Sequence, residues 1–167
     1  MENPIPVHNK QEYPPMHTAE HLLNRTMERM FGCPRSENAH IERRKSKITF
    51  TLAQEPAAEQ VAAVVEQMQR LIDADLPVTY RMVRCADLTP SQQRRLPEGV
   101  PDEVRMVCIG DYDACPCIGL HVAHTAQLGR FVLLGTNWDA ERHAFRIRFK
   151  LEGADGGDVP GGGAEAR

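Results

Sequence analysis

The feature that most constrains this fold is a pair of short motifs at opposite ends of the chain, His17-x3-His21 and Cys117-x3-His121. Histidines at positions i and i+4 of a helix project from one face, so both can reach one ion. Three imidazoles and one thiolate form a ligand set that zinc accepts tetrahedrally. If the motifs share an ion, a helix early in the chain must pack against a turn late in it.

Each motif has another interpretation when it is taken alone. His17 and His21 can be two surface histidines, because they lie nearly opposite the middle of the apolar stripe of their helix. With Glu20 they also match the His-x-x-Glu-His signature of the inverzincin peptidases, which are much larger and need a separate downstream acidic ligand. Cys115 precedes Cys117 by two residues and is an alternative thiolate ligand.

The apolar periodicity predicts an α+β fold, since strands and helices occur without strict βαβ alternation. Helical spacing covers residues 16–31, where Gly32 ends the helix, and residues 57–73. A short helical piece is expected around residues 91–95, within a loop over 87–103. Extended patterns predict strands at 48–52, 78–83, 104–109, 129–138 and 143–151, the last two as a hairpin.

Neither a membrane span nor a secretion signal is visible in the sequence. No apolar run approaches the roughly 18 residues that a spanning helix needs. The first ten residues lack the apolar core of a signal peptide, so we expect a cytoplasmic protein. In that compartment the five cysteines are expected to be thiols or metal ligands, not a disulfide framework.

The net charge of −3 is concentrated at the end of the chain. Residues 152–167 carry four acids, one Arg and six of the 12 Gly, which predicts a disordered tail after a domain of residues 1–151. The remainder is balanced, which excludes a strongly basic binder of polyanions but not a local basic patch. The densest basic run is a candidate for phosphate contacts, or else a solvated loop; it comprises Arg43, Arg44, Lys45 and Lys47.

The segment HTAEHLLNRTMERMFG from His17, followed by CPCIGLHVAHTAQLG from Cys115, resembles the editing domain of alanyl-tRNA synthetase. The same domain occurs in threonyl-tRNA synthetase and in free-standing AlaX-type editing proteins. The family pattern is His-x3-His on a helix with Cys-x3-His downstream, and the resemblance covers roughly residues 13–150. It implies a mostly antiparallel sheet packed with helices, in which the first motif faces the second.

The resemblance selects Cys117 over Cys115 and implies that Zn²⁺ is bound by His17, His21, Cys117 and His121. It further implies hydrolysis of the ester between a wrong amino acid and the 3′ end of tRNA, which protects the fidelity of translation. Asn38 and His40 lie in the segment that passes close to the amino-acid pocket in editing domains, so they are candidates for substrate binding. The mischarged tRNA is then the expected partner.

Three positions depart from the family pattern. Ile118 and Leu120 stand where the synthetase motif Cys-Gly-Gly-Thr-His has its first Gly and its Thr, and we expect them to line a reshaped pocket. Glu20 stands where alanyl editing domains often carry Thr, so it is a candidate catalytic acid or base, or else a solvated helix residue. These departures argue against alanine tRNA mischarged with serine or glycine as the substrate.

Two other functions fit the same residues. The first is a zinc hydrolase of a small ester that is not attached to tRNA, which the neutral body and the altered Cys-Ile-Gly-Leu-His turn favour. The second is a non-catalytic module in which zinc is structural, because four protein ligands suit a closed site.

Overall fold

The computed structural model describes residues 13–94, 96, 99 and 102–154. Its helices are α1 (Pro14–Phe31), α2 (Ala58–Asp73) and the one-turn α3 (Pro90–Gln93). Its strands are β1 (Asn38–His40), β2 (Ser46–Thr51), β3 (Val78–Arg84), β4 (Glu103–Ile109), β5 (Asp113–Pro116), β6 (Arg130–Asp139) and β7 (Ala144–Glu152). None of the described helices has the length and apolarity required to cross a membrane.

The strands form two antiparallel sheets. The first has the order β1-β2-β7-β6, and the second has the order β3-β4-β5. The β6–β7 pair is the predicted hairpin, with a bulge between Leu133 and Gly135. The predicted α+β class, with mostly antiparallel strands and helices, is confirmed.

Alternation of side chains gives the four-stranded sheet one apolar face. In β2, Ser46, Ile48 and Phe50 are buried, whereas the alternate residues Lys47 and Thr51 are exposed. In β7, the buried positions are Phe145, Ile147 and Phe149. This face and the apolar sides of α1 and α2 form one hydrophobic core. The opposite face of the sheet, with Lys47 on it, remains open to solvent.

Helix α1 begins with Pro14 and Pro15 and ends at Gly32, whose φ of 68° suits a residue without a Cβ. Its middle is buried on both sides, because the core covers one side and the segment around β5 and residues 117–121 covers the other. His21 is only 4% exposed and Asn24 only 1%. The interpretation of the two histidines as a surface pair is therefore wrong for His21, since tertiary packing covers the polar side of the helix.

Two short strands were missed by the periodicity. Strand β1 has three residues, and β5 lies within the segment that holds the cysteines. Both are too short for an alternating pattern to stand out. Strand β7 extends to Glu152, and the predicted disordered tail falls mainly on residues 155–167, outside the described residues. The division into a domain and a tail stays a prediction.

Candidate metal centre

The two sequence motifs meet in the structure. His17 and His21 lie one turn apart on α1, whereas Cys117 and His121 lie in the turn that follows β5. One potential ligand atom from each of the four side chains lies within 4.8 Å of the others. Cys117 Sγ is 3.5 Å from His17 Nε2 and 3.7 Å from His121 Nε2.

These distances fit a tetrahedral metal site. With a Zn–S bond of about 2.3 Å and a Zn–N bond of about 2.0 Å, tetrahedral geometry separates sulfur and nitrogen by roughly 3.5 Å. The observed separations from Cys117 Sγ are close to this value. The cluster can therefore hold a metal ion. Cys115 is buried and lies outside the group of four.

The outer ring nitrogens of His17 and His121 are hydrogen bonded to other parts of the protein. His17 Nδ1–H donates to the backbone oxygen of Leu120 at 3.2 Å, which leaves the lone pair of that ring on Nε2, the nitrogen that faces Cys117 Sγ. His121 Nδ1 is hydrogen bonded with Thr18 Oγ1 at 2.9 Å. His21 Nδ1 faces Asp113 Oδ2 at 3.7 Å, which is too long for a hydrogen bond, and this buried nitrogen has no hydrogen-bond partner among the described residues. Such outer contacts fix the ring orientation of metal-binding histidines.

Thr18 joins the helix to the turn. Besides its contact with the His121 ring, its hydroxyl oxygen accepts a hydrogen bond from the Val122 backbone N–H at 3.2 Å. The side chain is fully buried between the two motifs. Thr18 therefore sets the position of α1 relative to the turn and the rotation of one imidazole.

Arg105 of β4 fixes the shape of the turn. Its Nε donates to the backbone oxygen of Cys117 at 2.8 Å, and its Nη2 donates to that of Gly119 at 2.5 Å. Its guanidinium lies 4.6 Å from the centre of the Tyr80 ring. Within the turn, the Gly119 N–H donates to Cys117 Sγ at 3.4 Å. No sequence pattern indicates this role, because the partners of Arg105 are backbone carbonyls.

The electrostatics of Cys117 and His121 favour the protonation states that bind metal. At His21, burial acts to lower the pKa, but the contacts with Asp113 and Cys117 outweigh it and raise the pKa. Burial acts to raise the pKa of the Cys117 thiol, but contacts with the three histidines outweigh it and lower the pKa to about 2. For His121, burial and the neighbouring His21 lower the pKa to about 3. A thiolate and a neutral imidazole are the forms that ligate metal ions.

A buried ion pair lies behind the cluster. Arg35 contacts both carboxylate oxygens of Asp113, at 2.9 and 3.2 Å, and also reaches Glu28 Oε1 at 3.3 Å. Asp113 is almost completely buried, and its other neighbour is His21. Burial acts to raise the pKa of Asp113, but His21 and Arg35 outweigh it and lower the pKa to about 2. The pair therefore holds a carboxylate in place behind a potential ligand.

The predicted catalytic residue and the predicted substrate-binding residues are distributed over two faces. Glu20 Oε1 lies 3.9 Å from His17 Nε2, at the edge of the cluster. Ile118 and Leu120 project from the turn and are 61% and 45% exposed. Asn38 and His40 lie on β1 and are not part of the cluster; Asn38 lines a groove at the outer face of the four-stranded sheet. The roles of all five residues stay predictions.

The predicted basic run is exposed beside the start of α1. Arg43 lies in the loop before β2, with its guanidinium 4.5 Å from the centre of the Tyr13 ring. The Tyr13 backbone oxygen accepts a hydrogen bond from the His17 N–H. Tyr13 therefore links Arg43 to the potential ligand His17. All members of the basic run are exposed: Arg43, Arg44, Lys45 and Lys47.

Comparison with known proteins gives related sequences. Residues 104–148 match the family model of the threonyl and alanyl tRNA synthetase second additional domain. The chain is 31% identical over 123 residues to the alanine–tRNA ligase of Treponema pallidum (strain Nichols), covering 69% of this chain and 19% of that protein. It is 30% identical over 124 residues to the alanyl-tRNA editing protein Aarsd1 of Mus musculus, covering 72% of this chain and 29% of that protein. The match thus spans less than a third of these relatives.

The buried pair predicts a large loss of stability in Asp113→Asn. The substitution leaves the Arg35 guanidinium buried opposite a neutral amide, which costs about 3–5 kcal/mol in comparable pairs. Denaturant unfolding measures this loss. The matched control is Glu66→Gln, which breaks an exposed pair with Arg70 and should cost under about 1 kcal/mol.

The stability difference between wild type and Asp113→Asn should also depend on pH. The folded pKa of Asp113 lies below its ordinary value, so the stability it contributes is present above about pH 4 and is lost as the pH falls towards 2. The difference in the free energy of unfolding between wild type and Asp113→Asn should become smaller as the pH falls from about 4 towards 2. A difference no larger than that of the control at pH 7 would contradict a structural role for the pair.

Proposed function

Because this chain is a homologue of the editing domains of the alanyl- and threonyl-tRNA synthetases, we propose that it is a zinc-dependent deacylase of mischarged tRNA that acts in trans. The observation that carries the proposal is the convergence of His17, His21, Cys117 and His121 into one cluster. A neutral imidazole at His121 and a thiolate at Cys117 support zinc as the ion. When bound, Zn²⁺ supplies Lewis acidity toward a carbonyl oxygen or lowers the pKa of water.

The protein's own residues would present the ester to this centre. Ile118 and Leu120 offer exposed apolar surface on the turn that carries two ligands, and we assign them to the acyl group or the terminal nucleoside. Glu20, at the edge of the cluster, is in a position to take or give a proton at the reacting ester. Arg43, Arg44 and Lys45, with Lys47, would hold acceptor-stem phosphates beside α1.

The metal assignment predicts zinc binding that depends on both motifs. Purified wild type should contain about one zinc per chain, and His17→Ala and Cys117→Ala should each lose it, because each removes one ligand. Elemental analysis measures the content. The controls Cys108→Ala and His124→Ala remove the same residue types outside the cluster and should keep their zinc. Retention of stoichiometric zinc in His17→Ala or Cys117→Ala would contradict the proposed set of four zinc ligands.

Chelation of the same protein separates a catalytic metal from a structural one. A catalytic ion should leave on chelation with loss of activity and retention of the folded circular dichroism spectrum. A structural ion would carry folding energy, so the chain would unfold. The second outcome would favour the non-catalytic module.

The activity is tested with a panel of aminoacyl-tRNAs that covers cognate and mischarged pairs. The zinc-loaded protein should release the amino acid from at least one mischarged tRNA, and Cys117→Ala should not. Acid-precipitable radioactivity of the esterified amino acid measures the reaction. A synthetase editing domain serves as the positive control, and hydrolysis by that control alone would refute the proposal.

A small-ester hydrolase is the second candidate, favoured by the exposed apolar turn around Ile118 and Leu120. If tRNA is the substrate, Arg43→Glu/Arg44→Glu should raise the KM for aminoacyl-tRNA at least several-fold, because like charges then face the phosphates. Arg81→Glu/Arg84→Glu makes the same charge change on β3 and should leave KM near wild type. Hydrolysis of a small aminoacyl ester, without competition by tRNA and without an effect of either variant, would favour the second candidate.

A further inference from the structure

We propose that the outer face of the four-stranded sheet binds the phosphate backbone of RNA through Lys47, Arg146 and Arg148. This face shares Lys47 with the predicted basic run, but its other two cations, Arg146 and Arg148, lie on β7, far from that run in sequence. The inference rests on the proposed function in one respect: the choice of tRNA as the RNA that binds follows from the proposed deacylase activity.

Strand pairing brings these residues into two adjacent rows. The first row crosses the sheet as His40, Lys47, Arg148 and Gly135, and the second as Asn38, Thr49, Arg146 and Asn137. Directly paired residues of antiparallel strands share one face. The neighbours Ile147 and Phe149 are buried in the core, so both rows face away from it. Lys47, Arg146 and Arg148 are all exposed.

The charge of this face is not balanced by the protein. Lys47 stands directly opposite Arg148, and like charges in that position destabilise a sheet. Among the described residues, no carboxylate oxygen lies within 4.0 Å of the charged nitrogens of these two residues or of Arg146. The carboxylates of the sheet lie at its two ends, where Asp139 pairs with Arg142 and Glu152 with Lys150. The centre of the face is therefore a site of unpaired positive charge.

The shape of the face suits an extended polar partner. Gly135 has no side chain, and a Cβ at this position would collide with the Arg148 guanidinium, so that group lies close against the backbone of β6. Beside it, a groove of about 530 Å³ is lined by Asn38, Asn137 and Arg146 together with two further cations, Arg35 and Arg142, and two carboxylates, Glu37 and Asp139. Amide and guanidinium donors in such a groove match phosphate and sugar oxygens.

The chemistry favours RNA over an anionic membrane. Neither row contains a large apolar side chain, whereas proteins that lie on bilayers insert apolar groups beside their cations.

The test compares two variants with the same change in net charge. In the face variant, Lys47, Arg146 and Arg148 are all replaced by Ala; in the control, Arg70, Arg81 and Arg84, which are exposed elsewhere, are replaced by Ala. The probe is deacylated bulk tRNA, so binding is measured without hydrolysis. The Kd is determined by fluorescence anisotropy between 50 and about 200 mM salt, the range in which phosphate contacts change affinity most visibly.

The face variant should bind tRNA at least about ten-fold more weakly, and the slope of log K against log salt should fall by about 2, since each lost phosphate contact removes about 0.7–0.9. The control should bind like wild type. Zinc content and thermal unfolding of both variants confirm that the fold is kept, because all six side chains are exposed.

Three outcomes would overturn the inference. They are an unchanged Kd in the face variant, an equal loss in both variants, and binding of wild type to phosphatidylserine vesicles but not to tRNA. The inference fails separately from the proposed function. Deacylation by a face variant whose tRNA affinity is unchanged would contradict the RNA-binding face but support the proposed deacylase activity. Specific tRNA binding without any deacylation would do the reverse.

Discussion

The structure depends on the contact between the early helix and the late turn that Thr18 makes. Its hydroxyl is bonded at once to the His121 ring and to the Val122 N–H, in a fully buried position. A buried hydroxyl that loses its partners costs about 1–3 kcal/mol, so this geometry is strongly preferred over others. Because α1 is fixed against the turn, four side chains from distant parts of the sequence can share one ion. The ion would then add its own binding energy to the same contact.

Around that contact, the polar groups are arranged in layers. The inner layer consists of the thiolate and imidazoles of the cluster. The next layer holds them from behind, with the Leu120 carbonyl on His17, Thr18 on His121 and Asp113 on His21. Arg35 in turn fixes Asp113 by a two-point contact. A ligand in this arrangement has little freedom to rotate, which lowers the entropy that metal binding would remove.

Sequence reasoning succeeded where a local pattern carries the information. The i, i+4 spacing of His17 and His21 and the Cys-x3-His spacing placed both motifs on the correct elements, and their types pointed to a shared ion. It failed where the partner is distant and chemically ordinary. Arg105 acts on backbone carbonyls, and the Arg35–Asp113 pair joins residues far apart in the chain, so no spacing reveals either one. The short strands β1 and β5 depend on neighbours for their extended conformation, which a single sequence does not display.

The way Arg105 holds the metal turn has a consequence for how such a protein can diversify. The guanidinium donates hydrogen bonds to the backbone carbonyls of Cys117 and Gly119. These contacts hold the conformation of the turn through backbone atoms and do not involve the side chains of Ile118 and Leu120. Ile118 is 61% and Leu120 45% exposed, whereas the potential ligand His121 is buried. Substitution of the two exposed side chains should therefore leave in place the backbone contacts that shape the turn. The atoms that hold the turn and the atoms on its exposed surface are different atoms of the same five residues, so one set can vary while the other is retained.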